Sequence, residues 1–428
     1  MFNQNGLSLD QAPPISVVFR FFIAGALFGI GAGLTLIGFG DRVFSLHTPP
    51  ALILTHLFTL GVMLSFMFAA LFQMLPVIAG VKLTAPIQKA NRLQSPFVLG
   101  TLSLLAAFYT AQPWLYGIAS LLLGGSLFYT LFIMLKNLFE LSHHSTSSKG
   151  MILALLSLAI VTLLALYLTG THTGVINGIY FTQIRAGHYA FGLFGWMVML
   201  IIAISFQVIE MFYVTPPYPK IISHYLPATL FGILFIAFIG GLFFPSIWII
   251  SDIFLALLLS AYALLTLWRL TQKKRPLSDA TVWFWRVGLG LLIISMSALI
   301  DTRFASLPKI EILSYITFAG FALSIVFAMF YKIVPFLTWF HLNAQGYFTA
   351  PMMHEVIHPK TAKIHLYIHL ATLGASLLSL VAVPFIYLAG GLLVLSFGWM
   401  LWQVVYAWKR YVQTQREGEK FEMSIPQS

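Results

Sequence analysis

Long apolar runs alternate with short polar breaks along the whole chain, and the spacing of the breaks predicts the elements. A helix needs about 20 apolar residues to cross the hydrocarbon layer of a bilayer. On that measure the sequence predicts twelve spans: 16–38, 50–79, 95–111, 113–140, 151–170, 183–213, 225–243, 246–271, 281–300, 311–340, 361–385 and 387–411. Spans 2, 6 and 10 are long and are expected to tilt or to extend beyond the hydrocarbon. The longest polar stretches are 341–363 and the tail after Arg410, so no soluble domain is expected. The fold class that follows is all-α: a polytopic membrane protein with a single transmembrane domain over 1–428, of which 412–428 forms a polar tail.

A second pattern lies inside the first. Residues 56–76 read HLFTLGVMLSFMFAALFQMLP, 188–211 read HYAFGLFGWMVMLIIAISFQVIEM, and 315–335 read YITFAGFALSIVFAMFYKIVP. Aligning Gly61, Gly195 and Gly320 places Gln73, Gln207 and Lys332 each twelve residues later. An aromatic precedes each polar residue (Phe72, Phe206, Tyr331), and Pro76, Glu210 and Pro335 follow it by three. Apolar positions match cheaply, so the glycine, the polar site and the final residue carry the information. They predict three like-oriented four-helix repeats, approximately 16–140, 151–271 and 281–411, around a pseudo-threefold axis. Pro76 and Pro335 are expected to kink or end their helices, freeing carbonyls that need partners inside the protein.

Composition agrees with the pattern. The chain is 59% hydrophobic and 8% charged, against about 25% charged in soluble domains. Its 23 Lys and Arg outnumber its 12 Asp and Glu. Lys82, Lys89, Arg92, Lys136, Lys149, Lys220, Arg269, Lys273, Lys274, Arg275, Lys360 and Lys363 cluster in or beside the loops that follow even-numbered spans, and Lys409, Arg410, Arg416 and Lys420 lie in the tail. By the positive-inside rule both termini are expected in the cytoplasm, with the bacterial inner membrane as the location. The partner is then the lipid bilayer, and the basic balance is no argument for nucleic acid. Absence of cysteine excludes disulfides, thiolate metal sites and iron–sulfur clusters. No charged n-region or small-residue cleavage site accompanies the first run, so Val17–Ile37 is expected to be a retained span.

The polar residues inside the spans are few enough to weigh singly. His56 and His188 begin spans 2 and 6 on one side of the membrane, with His172, His47, Arg185, Asp301 and Arg303 at the same level. Neutral imidazole is a common donor to copper, haem iron and zinc, and needs a partner to orient it. Two histidines from facing helices could hold haem iron axially, with arginines pairing its propionates; otherwise they hydrogen-bond helix ends. His365 and His369 stand at i, i+4 near the start of span 11, a spacing that brings two rings close enough to share a metal. Gln73, Gln207, Glu210 and Lys332 lie at the opposite side of spans 2, 6 and 10, where they could carry protons or hold the helices in register, with Lys332 expected to pair with Glu210. Met63, Met67, Met197 and Met211 could ligate copper(I) or haem iron, and otherwise fill the core.

The layout, with twelve spans, cytoplasmic termini, four-helix repeats and an outward histidine on span 2, resembles subunit I of the haem-copper oxidases. The large subunit of nitric oxide reductase belongs to the same superfamily, and the twelve-span NnrS membrane proteins of nitric-oxide tolerance are a further comparison. HYAFGLFGWMVMLI and MFYKIVPFLTWFH resemble segments of that superfamily. The resemblance implies that His56 matches the axial ligand of a low-spin haem and His188 the span-6 copper ligand. It also implies a b-type haem, or copper, as cofactor, an oxidoreductase if the chain is an enzyme, and other membrane respiratory subunits or quinol as partners. The family pattern further asks for a His-His pair in span 7 and two histidines in span 10. Here 225–243 contain no histidine and span 10 offers Tyr315, so the oxidase ligand set is incomplete. The reading is a haem- or copper-binding membrane protein in respiratory redox chemistry, nitric-oxide response or metal handling. The alternative is a proton- or ion-coupled secondary transporter that uses the Gln73, Gln207, Glu210 and Lys332 group.

Overall fold

The computed structural model of the protein describes residues 12–81, 83–274, 279–304 and 307–420. Lys82 and Arg275 lie outside the described residues. Twelve long helices run through the described residues: α1 (Ile15–Phe39), α2 (Pro49–Ala79), α3 (Pro86–Thr110), α4 (Pro113–Phe139), α5 (Thr146–His172), α6 (Phe181–Tyr213), α7 (Lys220–Gly241), α8 (Ile247–Thr271), α9 (Ala280–Phe304), α10 (Pro308–Ala344), α11 (Pro359–Leu378) and α12 (Pro384–Glu417). No strand occurs among the described residues. Eleven of these helices are long and apolar enough to cross a membrane, so the chain is a polytopic membrane protein. The twelfth, α11, has the length but is diluted by Lys360, Lys363, His365 and His369.

Each predicted span is met by a helix, and the boundaries move for local reasons. Six helices (α2, α3, α4, α10, α11, α12) open on proline, whose fixed φ and missing N–H suit a first turn. Pro335 does not end α10, which continues to Ala344. α2 passes Pro76 and stops only where Gly80 turns left-handed at φ 70°. The expected polar tail is helical at its start, because α12 continues to Glu417. The chain then doubles back on the α10–α11 loop, where the Phe348 N–H donates to the Glu419 carbonyl at 3.2 Å. Residues 421–428 lie outside the described part.

Burial sorts the helices into an inner and an outer set. In α2, α6 and α10 the most apolar stretch is 89, 78 and 61% buried, against 28% in α7 and 33% in α3. The outer helices turn large apolar side chains such as Leu121, Phe132, Ile236 and Leu257 outward, as a lipid-facing surface requires. Short connections make consecutive helices antiparallel. The even-numbered helices therefore all begin at one face, called here the histidine face. Both ends of the described chain lie at the other, basic face.

The first and last helices close the bundle by packing on one another. Gly25, Gly29 and Gly33 recur every four residues on α1, so one strip of it has no side chains. A Cβ on Gly33 would lie 2.7 Å from the Gly390 carbonyl oxygen, and one on Gly390 would lie 2.8 Å from that of Gly33. The two backbones are in contact, as in small-residue membrane interfaces. Gly33→Leu is expected to lower stability by about 3 kcal/mol through overpacking. Thermal unfolding in detergent checks this against Gly38→Leu, where an added Cβ meets nothing within 4 Å. Equal melting of the two variants would rule out the contact.

Candidate functional site

His56 lies seven residues into α2 and His188 seven residues into α6, about 10 Å along each helix from the histidine face. The fold brings them together. Their ring centres are 6.4 Å apart and the ring planes differ by 19°. The Nδ1–H of His56 donates to the Leu52 carbonyl at 2.8 Å, and that of His188 to the Val161 carbonyl on α5 at 3.2 Å. A carbonyl oxygen can only accept, so both neutral rings carry their hydrogen on Nδ1 and leave the Nε2 lone pair free. Phe108 packs on the His56 ring at 4.9 Å. Both rings are part-buried.

A local irregularity accompanies both histidines. α2 widens to a π-helix over Leu57–Leu64, and α6 does so over Phe191–Val198. Each π segment runs from four residues before the aligned glycine (Gly61, Gly195) to three after it. π turns are rare and concentrate at functional sites. Gly320 in α10 sits in unbroken α-helix. Hydrophobic periodicity does not register a turn one residue wider, and only the aligned glycines pointed to the place.

The charged residues at the histidine face divide. Arg303 Nε donates to Asp252 Oδ2 at 2.6 Å, and its Nη2 also reaches that carboxylate and the Tyr189 hydroxyl at 3.4 Å. It is committed to a buried aspartate and is not free for the propionate expected of it. Arg185 stands one turn nearer the surface than His188, with its guanidinium 6.0 Å from the centre of the Phe181 ring. No ion pair engages it among the described residues. Partial burial, then the charge of Arg185, pushes the His47 imidazole below its ordinary value, with Glu311 opposing. His172 does not join the pair; it is exposed and stacks on Tyr116 at 4.6 Å.

His365 and His369 are fully buried among α10, α11 and α12. His365 Nδ1 meets the Tyr331 hydroxyl at 2.9 Å and its Nε2 meets Ser396 Oγ at 2.7 Å, while His369 Nε2 meets Ser324 Oγ at 2.8 Å. Hydroxyls thus engage both nitrogens of one ring and one of the other. The metal site expected from the i, i+4 spacing is not assembled. Among the described residues no group of three or more His, Cys, Asp or Glu gathers to hold a metal.

The polar group at the basic face is dispersed. Lys332 pairs with Asp279 at 2.6 Å and not with Glu210, whose carboxylate accepts the Tyr218 N–H at 3.1 Å. Gln73 is buried with its Oε1 unpartnered, Gln207 is part-buried, and no hydrogen bond joins any two of Gln73, Gln207, Glu210 and Lys332 among the described residues. Asp279 escaped the sequence reading because it lies in a polar break, where it caps α9 by accepting the N–H groups of Thr281 and Val282 at 3.0 and 3.1 Å. Burial alone would raise its carboxyl, but Lys332, the Thr281 hydroxyl that donates at 2.6 Å and the Val282 N–H outweigh burial and hold it below the usual carboxylate range. A depressed folded value stabilises above the unfolded value and is lost as pH falls through the folded one. The stability difference between wild type and Asp279→Asn should therefore stay constant from pH 8 to about 5 and shrink only below about pH 4. Melting curves across that range check it, and a difference already gone at about pH 6 would contradict the pairing.

Between α1, α2, α6, α9 and α10 lies an apolar cavity of about 70 Å³, lined among others by Met63, Met67, Met74, Met329, Leu200 and Ser205. It is far too small for a porphyrin. Met197 is buried and Met211 exposed, neither lining it. Neither a protein-family model nor a curated protein sequence matches the chain.

Proposed function

We propose that this membrane protein holds haem iron or copper between His56 and His188, and that it is a divergent relative of haem-copper oxidase subunit I. The spacing of the two rings carries the reading. Metal–nitrogen bonds of about 2 Å place the centres of two imidazoles on opposite sides of one metal atom about 6 Å apart, and here they are 6.4 Å apart. Both Nδ1 atoms are pinned by carbonyls, which orients the rings and raises the basicity of the free nitrogens. Two nitrogen donors without a third or fourth suit axial haem ligation or linear copper(I), and not a closed zinc site. Arg185, one turn nearer the surface than His188, offers a cation to an anionic group. A haem or copper ion bound there would supply one-electron redox chemistry.

The repeat reading supports the same relationship. Neighbour relations recur every four helices: α1–α2, α5–α6 and α9–α10, then α3–α4, α7–α8 and α11–α12, then α4–α5, α8–α9 and α12–α1. With the basic face in the cytoplasm of a bacterial inner membrane, the histidine pair lies toward the outer side, with membrane respiratory subunits or quinol as donors. The roles are respiratory redox chemistry first, then nitric-oxide response or metal handling. A visible spectrum with metal analysis of the purified protein tests the proposal. A Soret band, or about one copper per chain, is expected for a two-histidine site. A colourless, metal-free preparation that accumulates a solute in vesicles would overturn it in favour of transport.

A further inference from the structure

The ends of α6 and α8 and the start of α7 come together at the basic face, where Arg269 stands in the last turn of α8. Arg269 is only 9% exposed, yet no ion pair engages it among the described residues. Its Nη1 donates to Gln272 Oε1 at 2.8 Å. Nε is buried without an acceptor, and Nη2 makes no hydrogen bond to any described residue. The N–H bonds of Nε and Nη2 point the same way and form a fork that takes two oxygens of one phosphate or carboxylate. Arg303 shows this edge in use, since its Nε and Nη2 both reach Asp252. A buried donor left without an acceptor is costly and rare in native proteins.

The α6–α7 loop is irregular at the same place. Val214 adopts φ 54°, a left-handed conformation that strains a β-branched residue and concentrates at functional sites. Thr215 after it has a buried Oγ1 with no partner among the described residues. This loop is tied to α8. The Lys274 N–H donates to the Val214 carbonyl at 3.1 Å, and the Tyr218 hydroxyl donates to Thr266 Oγ1 at 3.0 Å, three residues before Arg269. Glu210 and Tyr218 are close enough to Arg269 to feel its charge. Glu210 forms no ion pair with it, and one of its carboxylate oxygens accepts the Tyr218 N–H.

We infer that the Nε–Nη2 edge of Arg269 holds the phosphate of an anionic phospholipid. Depth, charge and neighbours carry the assignment. Trp268 is 52% exposed and lies 4.6 Å from the guanidinium, and an outward Trp near the end of a membrane helix marks the headgroup level. Lys220, Lys273 and Lys274 stand at the same helix ends, and basic groups so placed attract anionic headgroups. Met211, Val214 and Ile221 are exposed apolar side chains on α6, the loop and α7, which suit acyl chains. A phosphodiester brings a single negative charge, whereas free phosphate as a dianion would meet more repulsion from Glu210. The site is at the face opposite to His56 and His188 and needs no metal there.

Titration of delipidated full-length protein with phosphatidylglycerol, read by native mass spectrometry and by melting temperature, tests it against zwitterionic phosphatidylcholine. Wild type is expected to retain phosphatidylglycerol in preference and to melt higher with it. Arg269→Gln removes the fork and should weaken that binding by about tenfold to a hundredfold. Arg269→Lys keeps the charge as a point without the fork, and should weaken it as well. Arg416→Gln, which removes a charge from the exposed end of α12, should bind as wild type does. Glu210→Gln decides the matter even if the Arg269 variants do not fold. It removes a negative charge beside the fork and leaves the fork in place, so it should bind phosphatidylglycerol more tightly. Wild type that prefers neither lipid, wild-type binding in either Arg269 variant, or binding no tighter in Glu210→Gln overturns the proposal. A melting rise with inorganic phosphate equal to that with phosphatidylglycerol would assign the fork to free phosphate and overturn the lipid.

Discussion

His56→Ala is expected to yield a folded protein without its metal: the Soret band or bound copper should fall to below about a tenth of wild type. Loss of a second-sphere hydrogen bond alone weakens metal binding by about 10- to 100-fold, and losing a ligand from a set of two costs at least the upper figure. His188→Ala should do the same, because each nitrogen donor is half of the site. Neither change leaves a buried charge behind, and the carbonyls of Leu52 and Val161 keep helical or solvent partners, so circular dichroism and melting should move little. His172→Ala supplies the control, since that ring lies on Tyr116 and not beside His56. Full cofactor content in both His56→Ala and His188→Ala would remove the assignment, whatever the absorbing group.

Asp252→Ala is expected to be the most destabilising single change at the histidine face. Asp252 is buried, and its Oδ2 takes two donors from Arg303, whose side chain keeps 30% of its surface exposed. Removing the carboxylate strands a guanidinium between α8 and α9. Breaking a buried pair in this way costs about 3–5 kcal/mol, and the partial exposure of Arg303 places the effect near the lower end. The double variant Asp252→Ala with Arg303→Leu should recover most of the loss, because no unpaired charge remains. A melting series of the two singles and the double in the same detergent measures this. Additive losses would show that the pair is not a unit. Tyr189, which also receives a bond from Arg303 and adjoins His188, makes a secondary effect on metal content an expected accompaniment.

Several side chains show where sequence reasoning reached and where it stopped. The twelve helices were legible because a chain with no water to satisfy its backbone must form long helices, and apolar run length reads them directly. The approach of His56 to His188 was an expectation of the repeat alignment, and the two rings are neighbours. The partners of Lys332 and Arg303 were not legible. Each pairs with an aspartate more than fifty residues away in sequence, Asp279 or Asp252, and nothing in the order of the residues singles out that aspartate. The same holds for His365 and His369, where i, i+4 spacing describes a helix face but not the hydroxyls on α10 and α12 that face it.

By itself the sequence determined the class of solvent, the number of the long helices, and the place of each polar residue along its helix, since these depend on local hydropathy and on distance along one helix. The tertiary structure alone decided the rest: which polar groups meet, which ring nitrogens stay free, and which cation is already neutralised. Those outcomes depend on side-chain pairing between helices, where an ångström separates a ligand from a hydrogen-bonded core residue. Apolar residues, being interchangeable in lipid, leave no record of that pairing in their order.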